Sequence, residues 1–123
     1  MKTISIKGKD YVPVVERIKE FHKLYKDGKI TTEIISNSEK NVVVKATVIT
    51  DLTSGGVLEG KVFTGHSQAE WGKGMMGDVA LEIAETSAVG RALGFAGIGL
   101  LDGIASADEM RKVKKTDDSD VPF

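Results

Sequence analysis

The feature that most constrains the fold is a run of small residues at positions 80–97, ALEIAETSAVGRALGFAG. Its alanines recur every fourth residue, so on an α-helix neighbouring members share a face that drifts by about 40° per step. This row consists of Ala80, Ala84, Ala88, Ala92 and Ala96. Larger apolar residues surround it and leave a narrow polar strip of Glu82, Glu85 and Thr86. A helix that is apolar on most sides is buried, and we predict a long buried helix from the N-cap Asp78 to about Gly97.

Two glycines flank the single arginine of this helix, although each costs about 0.5–1 kcal/mol relative to alanine. Because Gly90 and Gly94 have no side chains, the helix has little bulk beside Arg91. Arg91 itself projects among the small side chains rather than among the glutamates. A buried arginine requires a partner. That partner is either a phosphate or a carboxylate such as Glu85 or Asp78 of a neighbouring subunit. We interpret the small residues as a surface that lets another backbone or a ligand approach closely.

Upstream of this helix, the pattern predicts one helix followed by three strands. Pro13 and apolar residues at helical spacing indicate a helix at about 13–26, which ends before Gly28. Segments rich in β-branched residues at 29–36, 41–50 and 57–68 predict strands. The links between them are short and rich in turn-forming residues, which favours an antiparallel meander.

Alternation within the second strand predicts that the sheet packs on one face only. Val44, Ala46 and Val48 share one face, while Lys45 and Thr47 share the other. Leu58 and Val62 alternate with Glu59 and Lys61 in the same way in the third strand. We therefore expect an open, solvent-facing surface that carries lysines.

The predicted fold class is α+β: an N-terminal helix, a three-stranded antiparallel meander, a long buried C-terminal helix and a short final helix. The final helix begins at Ser106, whose capping pattern is completed by Glu109, and ends near Lys112. Residues 1–112 are expected to form one domain. Residues 113–123 have no periodicity and are predicted to be a disordered acidic tail.

Composition argues against several classes of function. The chain contains no cysteine, and His22 and His66 lack the spacing of a helical metal site. The segment around Lys73 lacks the glycine and hydroxyl positions of a phosphate-binding P-loop. We expect no metal, no cofactor and no enzymatic activity. The absence of a signal-peptide pattern or a long apolar run indicates a cytoplasmic protein.

Charge is distributed unevenly along the chain. The formal net charge is −1, with 17 basic and 18 acidic residues. Residues 1–50 carry 10 basic and 6 acidic residues, whereas residues 51–110 carry 3 and 9. A local positive surface is therefore compatible with the nearly neutral total.

Several segments together resemble a known family. KGKDYVPVVERIKEF near the start, the three-stranded middle and ALEIAETSAVGRALGFAGIG resemble phage single-strand annealing proteins of the Sak type, relatives of the eukaryotic recombination mediator Rad-fifty-two. The resemblance covers roughly residues 7–110 and is sharpest at the GRALG helix. It implies an annealing-protein-like β-β-β-α core, a multimeric assembly and ATP-independent binding of single-stranded DNA in a basic groove. The chain is shorter than typical Sak proteins, which favours a compact binding protein.

The final residues, DDSDVPF, resemble the acidic tip of bacterial single-stranded-DNA-binding proteins. In that family such a tip docks into partner proteins. The residues that carry the resemblance are Asp117, Asp118, Asp120, Pro122 and Phe123. The alternative interpretation is a tail that only solvates the chain.

Eight residues are candidate DNA contacts, and each also has a purely structural interpretation. They are Lys7, Lys9, Lys40, Lys45, Lys61, Trp71, Lys73 and Arg91. The lysines are also compatible with ordinary solvated positions, and Arg91 with an ion pair. Trp71, the sole tryptophan, is expected either to stack on a base or to fill a core.

The sequence hypothesis is a sequence-independent single-stranded-DNA-binding protein of phage replication or recombination. It would form homo-oligomers and recruit replication or recombination proteins through its acidic tip. Two alternatives remain open: an active ATP-independent annealing recombinase, and a structural oligomer that binds no nucleic acid. The sequence does not determine the number of subunits, the nucleotides covered by each subunit, the base preference or the identity of the tail's partner.

Overall fold

The chain forms two antiparallel sheets and two α-helices in a computed structural model that describes residues 1–51, 60–72 and 77–100. In chain order the elements are β1 (Ile4–Ile6), β2 (Lys9–Tyr11), α1 (Val14–Leu24), β3 (Lys29–Asn37), β4 (Asn41–Ile49), β5 (Val62–Glu70), a 3-10 helix (Gly77–Val79) and α2 (Ala80–Phe95). Strands β1 and β2 pair with each other, and the second sheet has the order β3-β4-β5.

The predicted fold class is wrong, because the chain opens on strands and its described residues form two sheets rather than one. The first helix follows a hairpin whose turn is formed by Lys7 and Gly8, with φ values of 52° and 79°. Two consecutive residues with positive φ suit a tight hairpin, and glycine adopts that conformation without steric cost. The predicted final helix at 106–112 and the predicted tail at 113–123 lie outside the described residues.

Strand β4 is the centre of the larger sheet and carries much of its core. Its residues alternate between buried and half-buried positions along the whole strand. Val44, Ala46 and Val48 are buried, and Lys45 and Thr47 face the other way. The prediction of which residues share the packed face of this strand is confirmed, because the side-chain period of a strand is two.

Helix α2 lies on the packed face of the sheet with its alanine row turned inward. Ala80, Ala84, Ala88 and Ala92 are each at most 1% exposed, whereas Glu82, Glu85 and Thr86 are exposed. Both the inward alanine row and the outward polar strip agree with the sequence pattern. The small side chains of this row allow the helix axis to approach the strands closely.

Helix α2 approaches the sheet very closely at Gly65 of β5. A Cβ placed on Gly65 would lie 2.5 Å from the backbone nitrogen of Ala92 and 2.7 Å from the carbonyl oxygen of Ala88. Real Cβ atoms do not approach backbone atoms this closely, so only glycine fits. The glycine that permits this helix-to-sheet contact is therefore on the strand, whereas the sequence analysis looked for it at Gly90 and Gly94 on the helix.

Helix α1 is tied to α2 by a buried arginine that the sequence analysis did not single out. Arg17 is 1% exposed, and its Nη1 donates a hydrogen bond of 2.9 Å to the carbonyl oxygen of Gly90. The chain after α2 covers the same side chain, since a Cβ on Gly99 would lie 2.8 Å from Arg17 Cγ. Arg17 thus connects α1, the middle of α2 and the segment beyond it.

We expect the Gly65→Ala substitution to lower the free energy of unfolding by about 1–3 kcal/mol, because the added methyl group overpacks the contact with α2. Urea denaturation would measure the change. The control is Thr64→Ser at the exposed neighbouring position, which should shift the unfolding midpoint little. Equal stability of Gly65→Ala and the wild type would contradict the close approach.

We expect Arg17→Ala to destabilise the protein by about 2–5 kcal/mol, because it creates a cavity and removes a donor from a buried carbonyl. The matched control is Lys19→Ala on the same helix. Lys19 has a 71% exposed side chain and a 3.5 Å ion pair with Glu16, and a surface pair of this kind is worth about 0.5 kcal/mol. Thermal and urea unfolding would compare the two, and similar losses would argue against the structural role of Arg17.

Candidate nucleic-acid interface

The face of the larger sheet opposite α2 presents a row of hydroxyl groups. Thr31 pairs with Thr47 in the β3–β4 register, and Thr47 pairs with Thr64 in the β4–β5 register. Directly paired residues project from the same face of an antiparallel sheet. The row therefore crosses all three strands and offers donors and acceptors suited to sugar and phosphate oxygens.

The adjacent row contains the lysine that the sequence analysis placed on this face. Lys45 is paired with Glu33 on one side and with His66 on the other. No ion pair joins Lys45 to a carboxylate within the part of the chain that the structure describes. The nearby Glu33 makes this face mixed in charge rather than uniformly cationic.

A groove runs along the outer edge of the same sheet, between β5 and α2. It has a volume of about 510 Å³ and is lined by residues 62–66 of β5 together with Arg91 and Phe95 of α2. Volumes of this size are typical of ligand-binding clefts. Because Gly65 brings α2 against β5, Arg91 emerges directly beside the strand edge: a Cβ on Gly65 would lie 3.0 Å from Arg91 Cβ.

The groove combines a cationic wall with exposed apolar side chains. Arg91 is half-buried, whereas Phe95 is 49% exposed and Val62 is 60% exposed. An exposed aromatic ring beside an arginine offers a base-stacking surface next to a phosphate contact. Phe95 was not among the candidate DNA contacts predicted from the sequence. Its spacing of four from Arg91 is the signal that places both on one side of a helix.

His66 joins the groove to the open face, because it lines the groove and is also the cross-strand partner of Lys45. The cationic and polar groups therefore follow one path, from Arg91 over the edge of β5 to Lys45. No sequence pattern linked these residues, since they lie on separate elements.

Lys61 is exposed and directly precedes β5. The prediction that Val62 lies on the packed face and Lys61 on the open face is wrong: Val62 pairs with Ile49, which shares a face with Lys45 and Thr47, and it is 60% exposed.

The other candidate residues lie elsewhere. Lys7 and Lys9 belong to the two-stranded hairpin, and Lys40 lies between β3 and β4. The backbone nitrogen of Trp71 donates to the carbonyl oxygen of Lys40 at 2.8 Å. These residues are not among those that line the groove. Lys73 and the tail residues Asp117, Asp118, Asp120, Pro122 and Phe123 lie outside the described residues.

Trp71 is held in place at the end of β5. Its indole nitrogen donates a 3.0 Å hydrogen bond to Asn37 Oδ1, and the half-buried ring packs against the core. These contacts fit the core-filling interpretation of Trp71 from the sequence. Base stacking by Trp71 stays a prediction.

The surface of the 3-10 helix and of the first half of α2 is acidic, which limits where a polyanion would lie. Asp78, Glu82 and Glu85 are exposed, and Thr32 Oγ1 donates a 2.6 Å hydrogen bond to Glu85 Oε2. Carboxylates near a helix N-terminus stabilise the helix but repel phosphate. The groove at Arg91 and Phe95 lies instead in the C-terminal half of α2.

Within residues 1–51, 60–72 and 77–100, no three histidine, aspartate or glutamate side chains are grouped so that they could hold a metal ion. No helix in the same residues has the length and apolar character needed to span a membrane.

Comparison with known proteins gives one family. No curated protein and no solved structure matches the chain significantly. Residues 18–96 match the family described as Slr1353 N-terminal dsRNA-binding domain-like. The match is more than half of the chain, and it includes most of α1, the whole three-stranded sheet and α2 with the groove residues. The chain therefore belongs to the Slr1353 N-terminal dsRNA-binding domain-like family.

Proposed function

We propose that the protein binds nucleic acid, and specifically single-stranded DNA without sequence preference, in the groove between β5 and α2. The observation that carries the proposal is the position of Arg91 and the exposed Phe95 in one groove along a strand edge. Single-strand binders combine a cationic track for the backbone with aromatic rings on which bases stack. His66 and Lys45 extend the path across the sheet. Membership of a family named for its likeness to dsRNA-binding domains supports nucleic acid as the ligand class.

An unpaired strand fits this groove better than a duplex. A ring such as Phe95 can stack only on a base that is not enclosed in a double helix. Double-stranded RNA is recognised mainly by shape, through backbone contacts spread over about 16 base pairs. Such contacts require a broad basic surface, whereas the 3-10 helix and the first half of α2 present Asp78, Glu82 and Glu85. Double-stranded RNA is the second candidate, which the family description favours.

The wider role follows from the resemblance to Sak-type annealing proteins. We infer that binding is stoichiometric, with no bond broken, in phage replication or recombination in the bacterial cytoplasm. Subunits would lie side by side and extend the groove, and the acidic residues 117–123 would recruit partner proteins. An assay of the pairing rate of complementary strands separates a binding protein from an ATP-independent annealing recombinase.

We expect Phe95→Ala to weaken binding of a single-stranded oligonucleotide by about 5- to 150-fold, because stacking is worth about 1–3 kcal/mol per base. Fluorescence anisotropy would measure the dissociation constant. The control is Val15→Ala, which truncates another exposed apolar side chain, 56% exposed on α1. Unchanged affinity of Phe95→Ala for single strands would contradict the proposed site.

We expect the affinity for single strands to fall steeply with salt, and Arg91→Gln and Lys45→Gln each to reduce the salt slope by about 0.7. Lys23→Gln, which removes an exposed charge from α1, serves as the charge-matched control. The titrations compare single-stranded DNA and double-stranded RNA of equal length. Preference for the duplex, with Phe95→Ala neutral, would replace the proposal by the second candidate.

A further inference from the structure

The exposed side chain of His66 lies between two cations at the edge of β5. On the open face of the sheet it is the direct cross-strand partner of Lys45, and directly paired residues have Cβ atoms about 4.5–5.5 Å apart. Along the strand edge it lines the groove together with Arg91. His66 is therefore the residue that links the lysine of the open face to the arginine of the groove.

No carboxylate occupies a position next to His66 in the sheet that the structure describes. The residues diagonal to it on β4 are uncharged. The acidic residue of its own row, Glu33, lies on β3 beyond Lys45. The acidic residue of its own strand, Glu70, is four positions away, which corresponds to about 13 Å. The charged group of the sheet nearest to His66 is therefore the ammonium group of Lys45.

Helix α2, the other element that packs against β5, also presents a cation to this groove. Its residues in the groove are Arg91 and Phe95. Its acidic residues, Glu82 and Glu85, belong to the first two turns, and Glu85 accepts a hydrogen bond from Thr32 on β3, at the far side of the sheet. The charged group that α2 contributes beside His66 is therefore the guanidinium group of Arg91.

A histidine in this position can change the charge of the site. A histidine ring ordinarily gains its proton near about pH 6.5. The neutral ring offers one donor and one acceptor, whereas the protonated ring offers two donors and a positive charge. With Lys45 and Arg91, a protonated His66 makes three neighbouring positive charges. A bound phosphate backbone supplies negative charge to all three.

We propose that His66 contacts the phosphate backbone in its protonated form, so that binding of a single strand is coupled to uptake of a proton and strengthens as the pH falls. The inference rests on the proposed function, because the strand must occupy this groove. The coupling is reciprocal: protonated His66 favours the strand, and the bound strand favours protonation. The gain in affinity is complete at low pH, where the ring is charged with or without the strand. It is lost at high pH, where the ring is neutral in both states.

The size of the effect follows from the cost of counterion release. Each phosphate that a cation neutralises on a single strand changes the slope of log K against log[salt] by about −0.7. At about 0.1 M salt this corresponds to about fivefold in affinity relative to 1 M salt. Because His66 is not fully neutral at pH 7.5 nor fully charged at pH 5.5, we expect about three- to fivefold tighter binding at about pH 5.5 than at about pH 7.5.

Fluorescence anisotropy with a single-stranded oligonucleotide, at these two pH values and several salt concentrations, tests the inference. The test variant is His66→Gln. The matched control is His22→Gln, which replaces the other histidine of the chain, an exposed residue on α1. We expect the wild type and the control to bind more tightly at the lower pH, with a salt slope steeper by up to about 0.7. We expect His66→Gln to show neither change.

Two outcomes of this comparison would overturn the inference. An equal response to pH in the wild type and both variants would show that His66 is not the group that takes up the proton. Loss of the response in both variants would show a general effect of net charge. Circular dichroism at both pH values checks that every variant remains folded.

A second variant, His66→Lys, separates protonation of the ring from stacking of the ring on a base. Lysine carries its charge throughout this pH range. We therefore expect His66→Lys to bind at pH 7.5 about as tightly as the wild type binds at pH 5.5, without a response to pH. Weaker binding of His66→Lys than of the wild type at both pH values would assign His66 to stacking of its neutral ring and overturn the inference.

Failure of the proposed function gives a different result from failure of this inference. Salt-dependent binding of the wild type that does not change with pH would refute the role of His66 and leave the groove as the binding site. Absence of binding by every form of the protein at both pH values would refute the proposed function, and the inference with it.

Discussion

The close contact between the backbone of α2 and Gly65 of β5 is the constraint on which the rest of the structure depends. A Cβ at this position would lie 2.5 Å from a backbone nitrogen of the helix, so the two elements touch without an intervening side chain. The alanines of α2 allow the same close approach from the helix side, because their side chains are small. A helix built from large apolar residues would lie farther from the sheet, and the geometry of its edge would change.

That thin interface also determines which side chains reach the edge of the sheet. Because the helix lies close to β5, side chains of α2 that point away from the core extend alongside the edge of that strand. Arg91 and Phe95, four residues apart, do so and form one wall of the groove. The glycine-containing strand and the small-residue helix therefore serve the site by bringing a cation and an aromatic ring beside an open strand edge.

Arg17 supports the same region from helix α1. It donates to the carbonyl oxygen of Gly90, the residue before Arg91, and it is covered by the segment that contains Gly99. A guanidinium group that is 1% exposed is costly to bury. Its hydrogen bond to Gly90 compensates part of that cost, and it fixes α1 relative to the turn of α2 that bears Arg91.

Local patterns in the sequence correctly predicted which residues are buried where a single helix or strand determines the burial. The alternation in β4 identified Val44, Ala46 and Val48 as packed residues, and the period of α2 identified its inward alanines and its outward glutamates. The overall fold class was nevertheless wrong. The hairpin at the start of the chain is too short for its three-residue strands to give a periodic signal, and its turn was not recognised in Lys7 and Gly8.

The sequence by itself determined which faces of β4 and α2 are apolar, because side-chain periodicity is a local property of the backbone. Only the tertiary structure decided that Gly65 lies under Ala88 and Ala92, that Arg17 reaches Gly90 across 73 positions, and that Arg91, Phe95 and His66 share a groove. Those contacts depend on the register and separation of elements that are distant in the chain. No single segment encodes such a distance, since it is fixed only when both surfaces pack together.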